Sequence, residues 1–124
     1  MQQPVASPSP SPLTEAATLV DGLVASLEFI AEELDGAEDH AGFASLDESL
    51  RCAWFWLGKA QRAPHDAYRE SDSLIAAAHL HFAREALRSL GDLDSTRGLA
   101  GDIARAVSLL RRAAQQIQRE RSAA

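Results

Sequence analysis

Cysteine is almost missing from this chain. Cys52 is the only one in 124 residues, so no disulfide can close within the molecule and nothing calls for an oxidising compartment. Apolar runs are short: none approaches the ~18 residues that cross a bilayer, which argues against a membrane protein. No basic residue precedes an apolar core near Met1, so no secretory signal is predicted. A soluble, cytoplasmic protein is the expectation. Beyond residue 12 the only proline is Pro64, and β-branched residues are few, so the punctuation of a strand-rich fold is lacking. Lysine is as scarce as cysteine. Lys59 stands alone among eleven arginines, which reads as coding bias rather than function.

Residues 1–50 contain no Lys or Arg at all. They hold ten acids and carry −10, whereas residues 51–124 carry +4, for a net charge of −6. Either the two halves face and neutralise each other in the fold, or an acidic surface awaits a basic partner. The densest acidic strip is Glu28, Glu32, Glu33, Asp35, Glu38 and Asp39.

Catalytic and metal motifs are absent too. His79 and His81 stand two apart and point to opposite sides of a helix, so they cannot chelate one ion. No Glu lies three residues before a histidine, which removes the di-iron pattern of helical bundles. There is no Cys pair and no phosphate-cradling glycine motif. Cys52 in an apolar helix reads as packing rather than as a nucleophile. No enzyme, no cofactor and no metal are expected. The arginines of the last helix are spread around it in an acidic protein, which argues against nucleic acid.

What is present is helical. Ala, Leu, Glu and Arg dominate, and the apolar residues recur at helical spacing. Residues 1–12, with four of the five prolines in Ser-Pro alternation, predict a disordered tail, and residues 13–121 predict one helical bundle domain. A first helix starts from Ser11-Pro12 and runs along Leu13, Ala16, Val20, Leu23, Leu27, Ile30 and Leu34 to Gly36. Residues 36–44 read as a loop. Ser45 and Glu48 then spell a capping box, so a second helix is expected from about Leu46 to Ala63 with the seam Leu46, Leu50, Ala53, Leu57 and Ala60. Trp54 is expected to widen that buried seam, Phe55 to face outward and Trp56 to lie on the flank. A third helix, starting at Pro64–Asp66 or at Ser71–Ser73, puts Ile75, Ala76, Leu80, Phe82, Ala83, Ala86, Leu87 and Leu90 on one face with His79 near its middle, and ends at Gly91. A fourth carries Leu99, Ile103, Ala106, Leu110, Ala113 and Ile117, with Gly98 and Gly101 as candidates for close helix contact. Four helices on short loops pack most simply up-down-up-down.

Trp56-Leu57-Gly58 resembles the W-x-G turn of small helical-hairpin secretion substrates, and Tyr68 to Asp72 matches their Y-x-x-x-D tail. The tripeptide sits inside an apolar helix, however, and Tyr68 follows Gly58 by ten residues rather than by a full helix.

The function expected from these features is a small acidic bundle that works by protein–protein contact. Phe55 with Trp56, and the acidic strip, are the candidate surfaces, and the partner is an unidentified protein or a second copy. Two alternatives stand beside it. One is a mobile-element or secretion-linked inhibitor whose acidic face mimics a polyanion. The other is a small-molecule or pH sensor around His79.

Overall fold

The computed structural model describes residues 11–123. Four helices follow one another: α1 (Pro12–Glu33), α2 (Ala41–Arg62), α3 (Asp66–Arg88) and α4 (Leu99–Ala123), with 3₁₀ turns at Ala37–Asp39 and Asp94–Thr96. No strand occurs among the described residues, and the tail expected over residues 1–12 lies almost wholly outside them. Each helix packs against its neighbours in sequence, and α4 closes the bundle against α1. Among the described residues no helix is long and apolar enough to cross a membrane.

Local chemistry sets each start and stop. Ser11 Oγ accepts from the Thr14 N–H at 3.2 Å, and Pro12 occupies the first turn of α1, where no intrahelical donor is needed. α3 begins at Asp66, so the earlier of the two expected starts is the one used. Ser73 instead lies fully buried inside α3, its hydroxyl donating to the Arg69 carbonyl at 2.7 Å.

The start of α2 corrects the sequence expectation. The helix begins five residues before Leu46, at Ala41, because His40 Nδ1 accepts from the Phe43 N–H at 3.3 Å and supplies the cap. Ser45 therefore sits exposed in the second turn and forms no capping box. A Cβ at Gly42 would meet Ser89 Oγ just past the end of α3, so that hydroxyl would have to shift.

The core forms where the seams meet. Leu23, Ile30, Leu46, Leu50, Leu57, Leu80, Ile103 and Leu110 are each less than 2% exposed. Burying such a side chain is worth ~1.5–3 kcal/mol relative to exposure, and this shared layer is what makes the helices interdependent. Gly101 has open space around it and marks no close helix contact, while Gly98 uses its freedom for a left-handed turn at φ +81°.

Two aromatic placements differ from expectation. Trp54 is 53% exposed and Phe82 63% exposed. Phe82 is two residues, or about 200°, round the helix from buried Leu80, which carries it off the core face. Trp54 lies on the α1 side of the α2 seam, and its indole N–H needs a polar partner that the core does not offer. Tyr68, in the first turn of α3, is 60% exposed. His79 is half-exposed beside Phe82, with ring centres 6.4 Å apart.

The antiparallel topology also sorts the charge. The 37–39 turn follows the end of α1, and Glu33 ties that end to the 94–96 turn, its carboxylate accepting from the backbone N–H groups of Asp94 at 2.9 Å and Ser95 at 2.8 Å. At the opposite end the start of α1 meets the end of α4, and Ser11, Ile117 and Glu120 line one groove. Arg121 there bonds Glu70 at 2.7 Å. Acidic and basic halves of the sequence thus do not simply neutralise each other. Among the described residues, Glu15–Arg105 at 3.4 Å is the one ion pair linking them across helices.

Candidate partner-binding surface

Phe55 and Trp56 share the middle of α2, but not one direction. Successive helical residues differ by 100°, so Phe55 points outward while Trp56 leans toward α3. Phe55 is 53% exposed and Trp56 half-buried against the core. Their rings meet edge to face, with centres 5.7 Å apart. One turn on, Lys59 places its Nζ 4.6 Å from the Trp56 ring centre and 5.7 Å from that of Phe55. The cation is attracted to the electron-rich faces, and it keeps an otherwise apolar cluster hydrated at its edge.

On the α1 side, Trp54 reaches across to donate its indole N–H to Asp21 Oδ1 at 2.7 Å. Trp54, Phe55, Asp21, Thr18 and Arg62 line a groove of about 370 Å³ between the two helices. It is shallow and open, with no convergent set of titratable groups. Trp54 and Phe55 are thus each more than half exposed on neighbouring sides of α2, with Trp56 half-buried beside Phe55. A patch of that kind is a candidate contact site.

The acidic strip lies elsewhere. Glu28, Glu32, Asp35, Glu38 and Asp39 are all exposed at the end of the bundle where α1 passes into α2. Phe55 is 16 residues beyond Asp39, nearly all of them helical, a separation of roughly 20 Å along the axis. The two expected surfaces are therefore separate. Glu33 differs from its neighbours because its carboxylate is engaged by the Asp94 and Ser95 amides. Its pKa is lowered from the ordinary 4.5, first by the Ser95 side chain, then by the Ser95 and Asp94 amides and by Arg97, with slight desolvation opposing. The two amides are the firm contacts, since the Ser95 hydroxyl meets no partner at full hydrogen-bond geometry.

No group of three or more potential metal ligands occurs among the described residues, and none of the main surface grooves is lined by His79. Cys52 is half-buried. Trp56-Leu57-Gly58 continues the α2 helix and makes no turn, so the likeness to hairpin secretion substrates does not extend to their geometry. Sequence reasoning missed the outward position of Trp54 and its bond to Asp21. Its signal was available: Asp21 is an acid on the rim of an apolar helix, placed to receive a tryptophan N–H. Comparison with protein-family models, with curated proteins and with solved structures gives no match for this chain.

Proposed function

We propose that this protein is a non-enzymatic interaction module whose contact surface is the outward side of α2. The observation that carries the proposal is exposed Phe55 packed edge to face on Trp56, with Lys59 over both rings and exposed Trp54 beside them on the same helix. Aromatic anchors of this kind supply most of the energy in protein interfaces and lose little conformational freedom when they bind. A cytoplasmic setting fits the single Cys52 thiol.

The test compares wild type with Phe55→Ser. The variant is expected to keep its helical circular dichroism and cooperative melt, because Phe55 is outside the core. Association seen with wild type, whether with itself or with a protein captured and identified by mass spectrometry, should be lost. Unchanged association in a folded Phe55→Ser overturns the assignment of this face.

A second reading rests on the acidic end, where Glu28, Glu32, Asp35, Glu38 and Asp39 are exposed and form no ion pair among the described residues. Such a surface suits an inhibitor that occupies the anion site of a basic protein. Binding of a polybasic peptide that vanishes in about 0.5 M salt would support it.

A further inference from the structure

The outward side of α2 carries a second seam, distinct from the buried one. Ser45, Glu48, Cys52, Phe55, Lys59 and Arg62 recur at alternating spacings of three and four, the repeat by which helices pair. All are exposed except Cys52, which is half-buried. The seam is graded along its length: a carboxylate toward its start, an aromatic ring at its middle, two cations toward its end.

A gradient of this form complements itself only when reversed. With a second copy laid antiparallel about a two-fold axis between Ala53 and Trp54, Glu48 falls opposite the partner's Lys59. Cys52 falls opposite the partner's Phe55, and Ser45 opposite the partner's Arg62. Two-fold symmetry repeats each contact, as an isologous interface requires. A parallel pairing would set Glu48 on the partner's Glu48 and Lys59 on the partner's Lys59, opposed at both ends by like charge.

The charge of the whole bundle favours the same arrangement. Glu32, Asp35, Glu38 and Asp39 gather at one end, whereas the other mixes Arg62 and Arg119 with Asp66, Glu70 and Glu120. Antiparallel copies keep the two acidic ends apart, where parallel copies would set them side by side. Lys59 is already held over the Phe55 and Trp56 rings, so little side-chain freedom remains to be lost on pairing.

We infer that α2 pairs antiparallel with α2 of a second copy through this outer seam. The inference rests on the interaction-module function and names its partner. Sedimentation equilibrium of the full chain over about 1–500 µM, the range of moderate association constants, measures it directly. Wild type is expected to self-associate, and to do so less as salt rises. Glu48→Lys makes both members of the Glu48–Lys59 pair positive, and Lys59→Glu makes both negative. Each variant alone should associate at least about tenfold more weakly, since like charges then meet at both symmetric contacts. Mixed in equal amounts, the two should recover association, and so should the double variant Glu48→Lys with Lys59→Glu. Circular dichroism verifies that every variant is folded. Wild type that stays monomeric across the range overturns the second-copy partner, and failure of both mixture and double variant to recover overturns the antiparallel register. Binding of an apolar fluorophore tests the face separately. If a monomeric wild type binds the dye and Phe55→Ser does not, only the choice of partner has failed. If neither differs, the contact face itself is wrong.

Discussion

Trp54 donates its indole N–H to Asp21 Oδ1 at 2.7 Å, joining α2 to α1 through a side chain that is itself more than half exposed. The contact sits at the rim of the bundle, where solvent competes for both partners. It fixes the direction of an aromatic ring more than it supports the fold.

The first prediction separates rim from core. Trp54→Phe and Asp21→Ala are each expected to cost about 0.5–1.5 kcal/mol, and the double variant little more than either, because the shared hydrogen bond is lost only once. Leu57→Ala, one turn along the buried seam, should cost ~2–5 kcal/mol. Urea midpoints of the four variants decide the matter. If Trp54→Phe proves as damaging as Leu57→Ala, the indole is a core group after all.

His40→Ala should remove ~1 kcal/mol by leaving the first turn of α2 without its acceptor. Ser45→Ala should stay within about 0.5 kcal/mol, as for an exposed position with no cap to lose. Thermal melts in which Ser45→Ala does the greater harm would return the helix start to Leu46.

Glu33 gives a pH dependence with a definite sign. Its folded pKa is lowered below 4.5, so the stability it contributes is present above the unfolded value and is lost as pH falls through the folded one. Glu33→Gln should therefore lie below wild type at neutral pH and converge with it on acidification from about pH 5 to pH 3. Denaturation midpoints across that range provide the check. A constant gap between the two proteins would detach the 94–96 turn from this carboxylate.

Gly42 and Ser89 should behave as a coupled pair. Gly42→Ala adds a methyl group that meets the Ser89 hydroxyl, which offsets the roughly 1 kcal/mol that alanine otherwise brings to a helix interior. In a Ser89→Ala background the same substitution should be more favourable than in wild type. Additive effects in a double-mutant cycle would show that the two helix ends do not approach so closely.

Sequence periodicity was a good guide wherever one residue type faced one environment. The α1 seam from Ala16 to Ile30, the α4 seam, and Leu46 to Ala60 of α2 are buried as their spacing implies, with Leu13 and Leu34 at the ends of α1 only partly so. It was a poor guide at the edges of each stripe. Trp54 and Phe82 are apolar enough to join a core, yet each lies far enough round its helix from the buried seam to stay at the surface. The start of α2 was hidden for a different reason. Histidine is seldom a helix cap, so His40 carried no local signal, while Ser45 and Glu48 offered a familiar one that the fold leaves unused. Of the candidate surface, the outward position of Phe55 followed from the 100° step alone. The engagement of Glu33 did not, because it depends on a turn more than sixty residues away.

The neighbouring positions of Ser11 and Glu120, where α1 begins and α4 ends, also govern how the molecule would respond to load. Force applied through these two points pulls α1 and α4 apart from one end, so their side-chain layers open one after another instead of sliding past each other together. A domain pulled in this geometry peels at low force. Joined instead through Glu33 at the end of α1 and the 94–96 turn it holds, the same bundle would begin to open at that clasp.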